Sequence, residues 1–428
     1  MPQVRHVSAK NGDVIVLVGT MKGAFLLHAN GVRKKWEMGG PYSVGSPVYA
    51  MAFDQRKGRR RVWWAQQSFR WGTVLCSSDD YGKTITEPET YSVKFPAESK
   101  LALKNIWQIA LGRPDEPDKL YCGTEPPALF ESGDAGITWT PVQGMLDHPH
   151  RSRWVPGGGG MCLHTVVPDA SDPKRMFIAI STGGAYRTED GGETWQACNQ
   201  GVRAEFLPEK YPEFGQCVHK VVQHPAQPDR LFLQNHWGLY RSDDAGRSWT
   251  DIANGVPSDF GFCMAIHPHD PDMVYIVPIE SDAYRCTPEG KLRVYRTSNA
   301  GKSWEPLTRG LPQKNAMETV LRDALATDTC NPAGIYFGTR SGKVYGSSDD
   351  GKSWQVLIEG LPPVVCVRAA LVGEQTKGAP RRRGGAEKKV RKTAAKKGAI
   401  RKAASQKRVF KKPSAKRAVA KQRSVGKR

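Results

Sequence analysis

The 428-residue sequence contains no run of about 18 apolar residues, the minimum for a membrane-crossing helix. Its opening stretch, Met1 to Asp13, lacks the apolar centre of a secretory leader. The expectation is a soluble protein that is not exported and works in the cytoplasm. Cysteine pairs of the C-x-x-C kind are missing although nine cysteines are present, so neither a zinc ribbon nor a thioredoxin-type site is indicated. Scattered through apolar runs, these thiols read as buried and unpaired, which suits a reducing compartment. Long helical patterns are absent too. In their place, 44 glycines and 30 prolines break the chain into short apolar runs, the mark of a turn-rich β-protein.

Acidic residues are nearly missing from one end. Residues 376–428 hold 22 of the 63 basic residues and one of the 42 acidic ones, Glu387, leaving 41 of each elsewhere. The formal net charge of +21 therefore belongs entirely to this tail. The tail has one aromatic residue, Phe410, and too little apolar surface to offset the entropy of ordering it, so residues 373–428 are expected to be disordered. Its composition resembles the Ala/Lys-rich tails of linker histones and bacterial nucleoid proteins. Such a segment holds nucleic acid or another polyanion through phosphate contacts and counterion release, without reading bases. No lipidation signal or amphipathic apolar face directs it to a membrane.

What is present before the tail is a repeat. SDDYGKTI, SGDAGITW, TEDGGETW, SDDAGRSW, TSNAGKSW and SSDDGKSW begin at Ser78, Ser132, Thr188, Ser242, Thr297 and Ser347. Their acidic or amide positions, Asp80, Asp134, Asp190, Asp244, Asn299 and Asp349, are separated by 54, 56, 54, 55 and 50 residues. A period near 50 with several short β-runs per repeat predicts the four-stranded blades of a β-propeller. In each motif a short Asp or Asn accepts backbone N–H bonds, and the glycine two places on supplies a positive φ. The closing tryptophan offers an apolar face for packing between blades. The motif is thus a hairpin staple and not a catalytic device.

The ends set the blade count. VIVLVGT, AFLLHANG and KKWEM supply three strands before the first motif, with Asn30 standing 50 residues before Asp80. After the last motif, VVCVRAALV (Val364 to Val372) is a strand with no blade following it. Assigning it to the N-terminal blade closes a ring of seven and removes the exposed sheet edges. Residues 1–372 are accordingly expected to be an all-β, seven-bladed propeller.

The boxes resemble those of the Asp-box, or BNR-repeat, superfamily, which includes sialidases, the sortilin ectodomain, xyloglucan-hydrolysing enzymes and photosystem assembly factors. Longer stretches, among them QNHWGLYRSDDAGRSW and GGGGMCLHTVV, are similar to a bacterial BNR-repeat, glycosyl-hydrolase-like subgroup. The resemblance implies the propeller fold. It also implies, as one possible activity, glycoside hydrolysis by two carboxylates facing across a groove. The R-I-P-like motif of sialidases is missing; PYSVGSP is the nearest region and carries no arginine.

Topology places a site on the face opposite the boxes, where the loops between strands two and three and between blades ring the channel. Nine residues before the proline of each D-P-like turn stand Gln108, His164, His219, Phe262 and Asp323. Four of these five are polar on strands that ordinarily carry apolar side chains. Together with loop residues they give a candidate ligand set of His164, His219, Lys220, His236, Trp237, Asp282, Arg322, Arg340 and Arg368. Candidate catalytic pairs are Glu280 with Asp323 and Glu125 with Asp323. The same polar positions also fit a hydrated channel of mutually satisfied groups. His164, His219 and His236 lack the compact spacing of a metal site, so no metal or cofactor is expected. The first functional reading is a monomeric cytoplasmic propeller, near the nucleoid, that binds a ligand or serves as a scaffold and is tethered to nucleic acid by its tail. The alternative is a glycoside-hydrolase-like enzyme with its site at the propeller mouth.

Overall fold

The computed structural model describes residues 4–68, 72–87 and 92–374, and the expectations for the basic tail lie outside these. The described chain is a seven-bladed β-propeller of antiparallel sheets. Among the described residues six blades have four strands and one, formed by Val48–Asp54, Arg61–Ser68 and Gly72–Ser78, has three. Among the described residues no helix is long and apolar enough to cross a membrane.

Each box works by the same hydrogen bonds. In the third blade the Ser132 hydroxyl donates to Asp134 Oδ1 at 2.8 Å and accepts from the Gly136 amide at 2.9 Å. The Thr138 amide then donates to Asp134 Oδ1 at 2.9 Å. The pattern recurs four residues apart from Ser78 and Gly82 through to Ser347 and Gly351. Ala135 (φ 59°) and Gly136 (φ 88°) are successive left-handed residues, and the second of them is glycine because a Cβ there would sit 2.5 Å from the Trp63 ring of the preceding blade. The Thr138 side-chain bond holds the Asp134 carboxyl down at about 2, as expected for a carboxylate that accepts several donors.

The box tryptophans Trp139, Trp195, Trp249, Trp304 and Trp354 are all buried. Trp249 and Trp304 reach across to the previous blade, donating to Cys198 O at 2.8 Å and Ile252 O at 2.7 Å. Ile85 takes the tryptophan's place in the first box and is partly exposed. Beyond its third strand that blade carries, among the described residues, a bridge between Ser77 and Thr86. Asn30 makes half a box, accepting from the Val32 amide at 3.1 Å.

The hydrophobic core lies between blades and not within one. Val14, Val16 and Val18 of the first blade share a cluster with Tyr336, Phe337 and Tyr345 of the seventh. Val364–Leu371 pairs antiparallel with Val14–Thr20 and is the innermost strand of the first blade. All nine cysteines are free thiols, six of them buried.

A chain ending at Gly373 should melt like the full-length protein. A chain ending at Pro363 loses the innermost strand of blade one and should aggregate or melt far lower, because both its sheet edge and its inter-blade core become exposed. Equal melting temperatures by calorimetry would contradict this account of how the ring is held.

Candidate functional site

The inner strands are joined around the channel by polar side chains. His164, on Leu163–Pro168 of the fourth blade, donates through Nε2 to Val218 O of the fifth at 2.9 Å. One blade on, His219 donates through Nδ1 to Gly261 O of the sixth at 2.6 Å. A carbonyl can only accept, so each bond fixes the tautomer. Burial, reinforced by the nearby Arg322 cation, pushes both imidazoles well down, and both are neutral.

Asp323 is the centre of a buried ion cluster. Lys220 Nζ and Arg368 Nη2 each lie 2.7 Å from its Oδ1. Arg368 Nη1 also donates to the Asp323 carbonyl at 3.0 Å. Burial alone would raise the Asp323 carboxyl, but Lys220 and Arg368 outweigh it and hold the group well below the usual range. The cluster ties the fifth and seventh blades to the closing strand.

Above this layer opens a cavity of about 570 Å³ on the face opposite the boxes. Its wall is largely aromatic. Tyr49 and Trp107 rings lie 4.7 Å apart, Phe206 and Trp237 5.0 Å, and Phe260 approaches His236 at 4.8 Å. Arg322 lies over Trp107 and Phe262 at 5.6 and 5.9 Å, and its buried Nε has no hydrogen-bond partner. Arg285 lies over Phe262 at 5.4 Å, and Arg340 completes the cationic side. Among the described residues no carboxylate forms an ion pair with Arg285, Arg322 or Arg340.

Of the residues expected to form the site, His219, His236, Trp237, Asp282, Arg322 and Arg340 line this cavity. His164, Lys220, Asp323 and Arg368 lie in the polar layer, with His164 fully buried. Glu125 borders the cavity at Gly160, where a Cβ would lie 3.4 Å from its Oε1, and it accepts from Trp107 Nε1 at 3.1 Å. Glu280 is exposed and does not line the cavity. The pairs Glu280–Asp323 and Glu125–Asp323 are therefore not presented together, since Asp323 is occupied by two cations. Asp282, beside His236 at 3.3 Å, is the carboxylate that does line the wall.

Sequence reasoning did not single out Tyr49, Trp107, Phe206, Phe260 or Cys217. Trp107 adjoins the Gln108 register position. Cys217 stands two residues before His219, the spacing that puts two side chains on one face of a strand. The expected triple of His164, His219 and His236 does not form, because His164 turns Nε2 to Val218 O and Nδ1 to Thr165 Oγ1.

Asp323→Asn should lower stability by about 3–5 kcal/mol, the usual consequence of breaking a buried ion pair and stranding its partners. Because the folded carboxyl is depressed, its contribution is full above about pH 4 and is lost as the pH falls. Wild-type and variant melting temperatures should therefore converge in acid. A constant gap at every pH would show that the charge of Asp323 is not what matters.

A family model described as sortilin, neurotensin receptor 3, matches residues 184–310. The chain is 23% identical over 261 residues to an oligoxyloglucan-reducing end-specific xyloglucanase of Emericella nidulans, a match covering 54% of this chain and 30% of that protein. It is 25% identical over 139 residues to a xyloglucanase of Acetivibrio thermocellus, covering 28% of this chain and 16% of the relative. The chain thus spans under a third of the length of these relatives. Among solved structures it is similar to a candidate 6-phosphogluconolactonase of Bacteroides fragilis, with a TM-score of 0.53 at 11% identity, covering 85% of this chain and 99% of that one. The family match, the glycoside-hydrolase relatives and six hydrogen-bonded boxes agree: the chain is a seven-bladed propeller of the Asp-box type.

Proposed function

We propose that the mouth is a glycoside-hydrolase-like site for a sugar or oligosaccharide carrying an acidic group. The observation that carries this reading is Arg322, a cation held over two aromatic rings in the cavity with a buried, unpartnered Nε. A guanidinium in that position gains from an anionic oxygen that pairs with its free edge. The faces of Trp107, Trp237 and Phe206 provide the apolar platforms on which sugar rings stack. The xyloglucanases among the relatives support a glycan over other anions.

Hydrolysis adds water across a glycosidic C–O bond and needs two carboxyl groups. One gives its proton to the leaving oxygen, and the other takes a proton from the attacking water or forms a covalent intermediate. Among the described residues Asp282 lines the cavity and Glu125 borders it at Gly160, and we assign these roles to them as a pair. Glu125 is oriented by the Trp107 indole and Asp282 by the His236 ring.

Titration calorimetry of the full chain with acidic and neutral oligosaccharides tests the reading. The acidic ligand should bind, and Arg322→Ala should weaken it at least about tenfold, the loss expected for a charged hydrogen bond. Glu125→Gln and Asp282→Asn should each lower turnover by about 10² or more while binding persists. Absence of any oligosaccharide binding would end the proposal, and unchanged turnover in both variants would remove its catalytic half.

A second reading concerns the tail and rests on the separation of charge, 22 basic residues and one acid in 376–428. We propose that this segment anchors the chain to duplex DNA or another polyanion whatever its sequence. With about 6–10 simultaneous phosphate contacts, affinity should fall about 10³–10⁵-fold between 50 and 200 mM salt. In gel-shift titrations the chain ending at Gly373 should not bind. Retained binding by that shortened chain, or binding insensitive to salt, would contradict the phosphate-contact mechanism.

A further inference from the structure

We propose that Cys217, His219 and His236 form a binding site for a zinc-class divalent cation, with a fourth position open to the cavity. This goes beyond the carbohydrate reading and does not depend on it.

The backbone brings the three together. The His236 amide donates to Cys217 O at 3.0 Å, which seats the two residues side by side across the antiparallel pair formed by Val218–His224 and Gln227–Asn235. His219 lies two residues along from Cys217, and a register shift between Val218 and Lys220 adjusts the strand at this point. One ligand atom from each residue lies within 4.8 Å of the others, and all three side chains line the cavity.

The donor geometry suits a tetrahedral ion. Cys217 Sγ and His219 Nε2 are 3.5 Å apart. Two ligands bound to zinc at ordinary Zn–S and Zn–N lengths, at a tetrahedral angle, stand about 3.6 Å apart. His219 is already oriented: its Nδ1–H is committed to Gly261 O at 2.6 Å, so the Nε2 lone pair faces the sulfur. A metal-binding histidine characteristically donates its other N–H to a carbonyl in this way. His236 has an equivalent support in Asp282 Oδ2, 3.3 Å from its Nε2.

Charge is consistent with occupancy. Neutral imidazole and thiolate are the forms that coordinate a metal. When the S–Zn bond forms, the thiol proton leaves to solvent. Arg322 and Arg285 stand near the site and oppose a second positive charge, while the thiolate and Asp282 offset it. Three protein ligands with an open fourth position is the arrangement of catalytic rather than structural zinc. That position takes water or an oxygen atom of whatever occupies the cavity.

The experiment uses the reduced, untagged full chain, titrated with Co²⁺ and then displaced with Zn²⁺. One equivalent of Co²⁺ should give the visible absorption of a four-coordinate ion together with a thiolate charge-transfer band, and Zn²⁺ should abolish both. Cys217→Ser should remove the charge-transfer band, and His236→Ala the four-coordinate spectrum. Asp282→Ala should weaken binding about 10–100-fold, as loss of a supporting hydrogen bond does. Cys330→Ser, in the D-P-like turn on the box face, should change nothing. Circular dichroism and melting curves confirm that each variant is folded. A six-coordinate spectrum, a charge-transfer band that survives in Cys217→Ser, or no binding at micromolar metal would each overturn the proposal. A chain that binds metal but no sugar would leave the site standing without the carbohydrate reading.

Discussion

Closure of the ring is the constraint on which the rest of the molecule depends. A propeller blade has an outer edge exposed to solvent and an inner edge crowded at the axis, and its core is shared with its neighbours. Val14, Val16 and Val18 bury against residues of the seventh blade, so that face of the first blade has no partner until the last one arrives, while Ile15, Leu17 and Leu26 pack on the second blade. Pairing Val364–Leu371 with Val14–Thr20 makes one sheet from chain segments more than 340 residues apart in sequence. Contacts so distant in sequence form only after a large loss of chain entropy, and the boxes reduce that loss locally. Each one fixes its hairpin through its own side chains.

The same closure explains the polar layer at the axis. Seven inner strands converge where side chains from every blade meet, and strand edges there face one another rather than water. His164 and His219 each span from one inner strand to a carbonyl of the next. Asp323 joins the fifth, seventh and first blades through Lys220 and Arg368. Unpaired, such groups would be costly to bury. Paired around the ring, they align the inner strands and form a charged floor beneath the cavity. Polar residues on inner strands are therefore not in themselves marks of catalysis. The distinction lies in whether their hydrogen bonds point to neighbouring strands or to the open mouth.

That distinction sets what was legible in the sequence. The boxes were, because their function is local: Ser, Asp and Gly at fixed spacing make a staple whatever surrounds it, and the period counts the blades. The face carrying the cavity was also legible from topology, since His236, Trp237, Asp282 and Arg340 lie in loops whose side of the ring is set by strand order. The division of roles within the polar set was not. Lys220 and Asp323 are 103 residues apart, and nothing near either one announces that it will neutralise the other. Cys217 escaped notice for a related reason. Cys-x-His is a weak local signal, and it becomes a cluster only through the register that sets His236 beside it.

The distribution of function between the two faces follows from these facts. On the box face, the Ser or Thr hydroxyl and the Asp or Asn side chain of each box are satisfied within their own hairpin. On the mouth face the loops are longer and carry side chains whose bonds are incomplete: the Arg322 Nε, the Cys217–His219 contact and the aromatic faces of Trp107 and Trp237. A side chain needed to hold the ring cannot also be free to meet a ligand. Asp323 illustrates the first condition and Arg322, its neighbour in sequence, the second. Adjacent residues at the start of one inner strand thus face opposite demands. Asp323 is fixed by two cations on its Oδ1, whereas Arg322 lines the cavity and lies over Trp107 and Phe262 with no carboxylate paired to it. Likeness in the boxes therefore conveys a shared scaffold, while chemistry must be argued from the loops and strand ends that surround the mouth.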